Sequence, residues 1–464
     1  MLRLPSAAPL LTPAQMRAAE AAAIAGGTPA LRLMELASAA AVAAIMAHVP
    51  RRHALVLAGP GNNGGDGYGV ALGLAAMGLK VEVAALAPSR GGPAQDMAAR
   101  WTGPVLALDA VQPAPLLIDA LFGTGLDRPM PQVACAALAR LAPGATLVAL
   151  DIVSNIDAGT GAALGPVQPA ALTVAFGAAK PGHLLGEGVR TTGRLVTADI
   201  GIALPPAGLR RVPRPQRLAA DLDTHKYARG AVLIVSGEAG RAGAARLASV
   251  AALRAGAGLV TLIGPDDRLP LDAVMHRCDA DGLALLEDPR SRVVLIGPGL
   301  TDTPRARDWL ARLLAGDRPL VLDAGALALV TPETLRAATA PLLLTPHEGE
   351  FRALFGPAGD DRVAAVRAAA ARTGAVVLRK GPQTLVAAPD GQVLLNDHAG
   401  PALATAGSGD VLAGVIAGLV AQGQGLFEAA ACAAWLHGDA GLWAPAGLVA
   451  DELPALVAAA IGRL

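Results

Sequence analysis

Aromatic residues are scarce in this chain: four tryptophans, two tyrosines and five phenylalanines among 464 residues. So few flat rings leave no material for the stacking platforms on which single-stranded bases are held. Charge of one sign is also missing, since 38 Lys and Arg balance 38 Asp and Glu. Without a basic field no nucleic-acid partner is expected. The three cysteines, Cys135, Cys278 and Cys432, lie far apart and match no metal-ligand spacing. They are expected as buried thiols of a cytoplasmic protein. Residues 1–11 lack the apolar stretch of a secretory leader, and the long uncharged run at 158–179 is broken by Gly and Pro. No membrane span is therefore expected.

Small and aliphatic residues fill the space that these absences leave. Hydrophobic residues make up 53% of the chain, with 55 Gly and 36 Pro, and the mean hydropathy of +0.46 is carried by alanine. That composition excludes disorder and suits closely packed α/β layers in two or three domains. Thr12-Pro13-Ala14-Gln15 opens a first helix with a Thr cap, Pro at its first position and Gln three residues on. Strands are expected at 54–58, 81–86, 116–119, 146–151, 172–176 and 195–199, separated mostly by helices. In the second half they are expected at 231–235, 259–263, 293–296, 320–322, 342–344, 375–378 and 384–387. Helices are expected at 244–255, 363–372, 428–440 and 452–464. Such alternation indicates an α/β chain with doubly wound, mostly parallel sheets. Between the halves, 202–217 holds Pro205, Pro206, Pro213 and Pro215 among four arginines, and reads as a semi-extended connector. The expected division is a domain at 1–205, a linker at 206–222 and a domain at 223–464.

In the first half, Gly59, Gly61 and Gly64 satisfy G-x-G-x-x-G between a strand and a helix, with Glu82 a strand later. That is the dinucleotide-binding fingerprint. Pro60 lacks an N–H, however, Asn62-Asn63 adds polar side chains, and Asp66 puts a carboxylate where a pyrophosphate would sit. Carbonyl and carboxylate oxygens there suit a hard cation beside a polar ligand. Asp119 and Asp151 stand at the ends of later strands, where ligands of open α/β sheets bind. Asp151 can act on a substrate and Ser154 can reach a cation, although each acid alone could equally cap a helix.

In the second half, Ala404-Thr405-Ala406-Gly407-Ser408-Gly409-Asp410 precedes an apolar run with helical spacing. A helix starting there aims free N–H groups and its positive dipole end into a glycine turn that an anion can approach. A carboxylate inside a phosphate cradle would repel the ligand unless it had a task. Asp410 suits removal of a proton from a hydroxyl attacking phosphorus; a plain first-turn acid is the competing reading. His347 could be a core histidine and Lys380 a solvated lysine. The helix carrying His437 and Asp439 reads as structural.

These motifs carry a resemblance. Gly61-Asn62-Asn63-Gly64-Gly65-Asp66-Gly67, Asp119-Ala120-Leu121-Phe122-Gly123-Thr124-Gly125-Leu126 and Phe176-Gly177-Ala178-Ala179-Lys180-Pro181-Gly182-His183 make the first half resemble the NAD(P)H-hydrate epimerases, from Thr12 to about Ile200. The resemblance implies a Rossmann-like fold and substrate contacts at Asn62, Asn63, Gly64, Gly65 and Asp66. It implies further contacts at Gly123, Thr124, Gly125, Leu126, Asp127, Arg128 and Pro129, with Asp151 both contacting substrate and catalytic. Potassium would be held by Asn63, Asp119 and Ser154. Two stretches depart from the family: Met34-Glu35-Leu36-Ala37-Ser38 stands for Met-Glu-Asn-Ala-Gly, and Asp151-Ile152-Val153-Ser154-Asn155 for Asp-Ile-Pro-Ser-Gly.

From about Asp223 onward the chain resembles the ribokinase-like ADP- or ATP-dependent NAD(P)H-hydrate dehydratases. Besides the Asp410 turn, the likeness rests on His225-Lys226, Ile296-Gly297-Pro298-Gly299, Val321-Leu322-Asp323-Ala324-Gly325, Leu344-Thr345-Pro346-His347-Glu348-Gly349-Glu350 and Leu378-Arg379-Lys380-Gly381-Pro382-Gln383-Thr384. It implies a ribokinase-like α/β/α domain using ADP with Mg2+. Asp410 would be the catalytic base, and Ala244, Gly299, His347 and Asp410 would touch substrate. Lys380, Gly381, Pro382, Gln383, Thr384 and Gly409 would hold the nucleotide phosphate. Together the halves imply a fused enzyme for NADH-hydrate and NADPH-hydrate, expected as a homo-oligomer. A vitamin-precursor kinase fused to a non-catalytic binding module is the alternative, and the first glycine loop keeps an oxidoreductase in view.

Overall fold

The computed structural model describes residues 2–217 and 225–464. The end of the expected linker, 218–222, and residues 223–224 of the expected second domain lie outside them. Contacts divide the chain into two compact units, Pro9–Ala207 and the pair of segments Met1–Ala8 and Gly208–Leu464.

In the Pro9–Ala207 unit, short aliphatic runs make seven strands: β1 (Ala54–Ala58), β2 (Val81–Ala85), β3 (Val105–Ala107), β4 (Leu116–Ala120), β5 (Thr146–Leu150), β6 (Leu172–Phe176) and β7 (Arg194–Ala198). They pair in the order β3-β2-β1-β4-β5-β6-β7, every neighbour parallel. A parallel sheet is covered on both faces, which is why β1, β4 and β6 are mostly apolar and buried along their whole length. The strand order reverses between β1 and β4, so their following loops part and leave a crevice. The expected first helix is Pro13–Ala25, with Thr12 and Gln15 closing a reciprocal capping box. Helix Ala30–His48 is long and apolar enough to cross a membrane by length and composition. Here it packs Met34, Ala37, Ala41 and Ile45 into the core beside β6 and β7.

The second unit contains β8 (Leu209–Arg211), β9 (Ala231–Val235), β10 (Leu259–Ile263), β11 (Val274–Arg277), β12 (Ser291–Ile296), β13 (Leu320–Leu322), β14 (Leu342–Leu344), β15 (Val376–Arg379), β16 (Thr384–Ala387) and β17 (Val393–Asn396). Their order is β11-β10-β9-β12-β13-β14-β15-β16-β17-β8. All neighbours are parallel except β15–β16 and β16–β17. Helix Ser408–Ala421 lies against helix Gly243–Arg254. A Cβ added at Gly414 would come within 2.2 Å of the Ala248 carbonyl oxygen. Only glycine allows backbones that close, so the small residues fix where this helix begins.

The segment read as a connector does more than connect. Leu209–Arg211 is an edge strand parallel to β17, and Gln216–Arg217 pairs antiparallel with Leu2–Arg3. Prolines flank these short runs without entering them, as edge strands tolerate. Strands β3, β11 and β17 were not anticipated, being only three or four residues long. The thiols also differ from expectation: Cys432 is buried, Cys135 half-buried and Cys278 exposed.

Leu2 is buried within the core of the second unit, and its carbonyl accepts a 2.6 Å bond from Gln424 Nε2. Leu2→Ala is expected to destabilise that unit by about 2 kcal/mol, read as a lower denaturant midpoint for its unfolding transition.

Candidate active sites

In the first unit, the loops after β1 and β4 open onto a cleft of about 710 Å³. Its wall brings together most residues named from sequence: Asn62, Asn63, Asp66, Gly123, Thr124, Gly125, Leu126, Asp127, Arg128, Pro129 and Asp151. Gly64 and Gly65 are buried in the first turn of helix Asn62–Ala76 and do not line it. Asp151 follows β5 with φ at +62°, a conformation that costs a non-glycine residue about 1 kcal/mol or more and gathers at functional sites. Three groups hold it there. The Lys180 ammonium meets Oδ1 at 2.5 Å, the Thr124 amide reaches Oδ2 at 3.3 Å, and His183 Nε2 lies 2.7 Å from its carbonyl oxygen. The Lys180 amide donates to His183 Nδ1, so Nε2 carries the ring proton and donates to Asp151.

Burial alone would raise the Asp151 carboxyl, but the Lys180 ammonium outweighs it and holds the pKa below the usual carboxylate range. His183, fully buried beside that same ammonium, is pushed down to about 4 and stays neutral. Asp66 goes the other way: burial, then the Asp151 and Glu20 charges, raise it well above normal. Glu20 is raised by burial and by Asp151. The cleft thus holds one carboxyl group whose pKa is lowered and two whose pKa values are raised, an arrangement suited to acid–base chemistry.

Asp119 and Ser154 are buried together. The Ser154 hydroxyl donates to Asp119 Oδ1 at 2.8 Å, its amide to Oδ2 at 3.1 Å, and the Phe122 amide donates to its oxygen. Both polar atoms of the Asn63 carboxamide are buried without a partner. The family departures leave the Asp151 loop in shape. Asn155 adopts the left-handed conformation (φ +70°) that glycine would supply, and its side chain ties Met130 N–H to the Pro166 carbonyl. Leu36 packs into the apolar layer, and Ser38 donates to the Asp66 carbonyl.

In the second unit, Gly407 takes φ +89° and starts helix Ser408–Ala421. The turn opens into a cleft of about 660 Å³ lined by His347, Lys380, Gly381, Pro382, Thr384 and Gly409, among others. A Cβ on Gly409 would lie 3.2 Å from Lys380 Nζ, so a lysine ammonium and a helix N-terminus face the same space. Asp410, in the first turn of that helix, and Gln383 do not line the cleft. Ala244 and Gly299 stand side by side, the Gly299 position 3.9 Å from Ala244 Cβ, also outside it.

The Lys380 ammonium is bound by Asp323 Oδ1 at 2.7 Å and approached by Glu350 at 4.0 Å. Thr345 donates to the same Asp323 oxygen. Burial opposes the ammonium, but Asp323, Glu350 and Asp410 overcome it and raise its pKa. Asp410 is pushed up to about 6 by burial and by the Asp323 charge, against the pull of Lys380. A base with a pKa near the working pH is the effective kind. His347 is neither buried nor a core residue: its imidazole is 60% exposed, and it caps helix Glu348–Phe355 by accepting from the Glu350 amide. Glu348, where the family has proline, pairs with Arg379.

Sequence reasoning did not assign site roles to Lys180, His183, Asp323 or Glu350, although all four stood inside the quoted motifs. Arg17 and Glu20 carried no signal beyond their helix, and His437, set aside as structural, lines the second cleft.

Two α/β units, each with a cleft at the carboxyl ends of its strands and a lysine balancing buried acids, define an enzyme with two separate sites. A model of the YjeF-related protein N-terminus matches residues 30–182, and one of NAD(P)H-hydrate dehydratase matches 232–461. The bifunctional NAD(P)H-hydrate repair enzyme Nnr of Moorella thermoacetica is 36% identical, over 89% of this chain and 88% of that protein. Its counterpart from Salinibacter ruber is 37% identical, over 93% and 91%. The chain therefore belongs to the family of bifunctional NAD(P)H-hydrate repair enzymes. Among solved structures, an ADP/ATP-dependent NAD(P)H-hydrate dehydratase from Bacillus subtilis, co-crystallised with ATP/Mg2+, is 32% identical. It covers 53% of this chain and 93% of that one, with a TM-score of 0.48.

A proton on Asp410 would disable it as a base, so an activity of the second site that uses it in that role should fall as pH drops through about 6 and persist above it. Asp323→Asn, which deletes a neighbouring negative charge, should move that limb of the pH–rate profile to lower pH.

Proposed function

We propose that the Pro9–Ala207 unit interconverts the R and S forms of hydrated NADH and NADPH, and that the second unit dehydrates the S form with ADP, releasing AMP and phosphate. The observation that carries this reading is the pairing, on one chain, of an oxygen-rich cleft around Asp151 with an amide-donor turn around Asp410. Spontaneous hydration yields both epimers, so an enzyme that dehydrates one gains from a unit that replenishes it.

At the second site, Asp410 takes the proton of the hydroxyl on ring carbon 6 as its oxygen attacks the terminal phosphorus of ADP. The bond from that phosphorus to the AMP oxygen breaks. Amides of the Ser408–Gly409 turn and the Lys380 ammonium receive the charge spread over the phosphoryl oxygens. Hydroxide is a poor leaving group and phosphate a good one. The ring nitrogen then expels phosphate from carbon 6, a proton leaves carbon 5, and the reduced nicotinamide is restored. Among the described residues no cluster of three His, Cys, Asp or Glu stands ready for a metal, so Mg2+ would arrive on the nucleotide phosphates.

At the first site, Asp151, kept ionised by Lys180 and aimed by His183, would exchange protons with the substrate. The partnerless Asn63 carboxamide fits a hard cation, and Asn63, Asp119 and Ser154 would hold potassium. When bound it would supply positive charge beside the substrate. Three free cysteines support a cytoplasmic location, and we take the enzyme to work as a homo-oligomer.

Incubation with mixed hydrate epimers, nucleotide and potassium, with chromatographic resolution of the products, tests the whole reading. Asp410→Ala should lower ADP-dependent dehydration by about 10²–10⁴-fold while epimer exchange continues. Asp151→Ala should do the converse, and exchange of potassium for lithium should slow only the epimerisation. Loss of both activities from either single substitution would sink the claim of independent sites.

A further inference from the structure

One buried histidine is left unused by this mechanism. His437 sits in helix Leu426–Leu442, 7% exposed, with its ring against the second cleft. Its Nε2 lies 3.2 Å from Ser408 Oγ. Ser408 is itself 7% exposed and is the first residue of the helix whose N-terminus faces that cleft. His437 Nε2 is the side-chain partner of this hydroxyl, so the tautomer of the ring decides where the hydroxyl proton points.

We infer that His437 is a positioning residue for ADP: its Nε2–H donates to Ser408 Oγ, turning the Ser408 hydroxyl proton into the cleft as a further donor to the terminal phosphate. This rests on the nucleotide reading of the second site. The 3.2 Å separation fits donation in either direction, and the charge of the cleft favours this one. The cleft already carries a lysine ammonium beside Gly409, so the ligand there is an anion and a donor is what it can use. The opposite tautomer would take the serine proton and leave only oxygen lone pairs facing the phosphate. Burial, with the nearby Lys380 charge, drives His437 down to about 4, so the ring remains neutral across the working pH range. A neutral imidazole must be either donor or acceptor at Nε2. A charged one would make that choice pointless.

The inference separates His437 from a mere packing residue, because it makes the histidine act only through Ser408. Ser408→Ala and His437→Ala should each raise the KM for ADP roughly tenfold, with a smaller change in kcat and an unmoved pH midpoint. The double variant should be no worse than the poorer single one. His437→Gln, whose amide N–H can reach the same oxygen, should recover most of the loss. An unchanged KM in Ser408→Ala, or losses that multiply in the double variant, would overturn the proposal. Should a variant fail to fold, nitrogen NMR of the ¹⁵N-histidine-labelled full-length protein decides. An Nε2–H tautomer is expected, and an Nδ1–H tautomer refutes it. Absence of ADP-dependent dehydration in the unaltered enzyme would count against the parent reading instead, with the tautomer measurement still deciding the role of His437.

Discussion

Each site is organised around a single lysine that must satisfy more acid than it can neutralise. Lys180, 1% exposed, ends on Asp151 and on the Phe176 carbonyl. Lys380 ends on Asp323, with Glu350 and Asp410 close enough to affect its charge. Breaking a buried pair of this kind by removing one partner costs about 3–5 kcal/mol, because the other charge is stranded. The surplus acid is where the chemistry resides. Burial, and then the charge of the carboxylate that the lysine already holds, push the next one along upward, as Asp66 is in one unit and Asp410 in the other.

Small residues make that crowding feasible. Alanine and glycine on the facing helices let helix Ser408–Ala421 approach helix Gly243–Arg254 backbone to backbone, which sets the N-terminus of the former at the mouth of the cleft. The same economy operates in the first unit, where parallel β1, β4 and β5 deliver three loops to one edge. Few large side chains are involved, and few are available. The shortage of aromatics belongs to an architecture built on close backbone contact.

How legible all this was in the sequence depended on distance along the chain. The Gly61–Gly67 and Gly407–Asp410 turns could be read directly, because strand, turn and helix follow one another within a dozen residues. So could Asp151 and the Rossmann-like alternation. The partners of these groups could not. Nothing near Asp151 announces that Lys180, 29 residues on, fills the space beside it, and Asp323 meets Lys380 across 57 residues. His437 shows the same limit, since the periodicity of its apolar helix says which face is buried without saying that a serine lies opposite. The edge strand Leu209–Arg211 hid among prolines that spoke for an open connector.

The two-residue ladder at the start of the chain has a bearing on how the protein is made. Leu2 and Arg3 are synthesised well before their partners Gln216 and Arg217, with the whole intervening unit emerging in between. At about 5–20 residues per second, that is a wait of roughly ten to forty seconds. Throughout it, an apolar leucine has no place of its own to go. Arg3 keeps a charge beside that leucine until Gln216 and Arg217 arrive to pair with the segment.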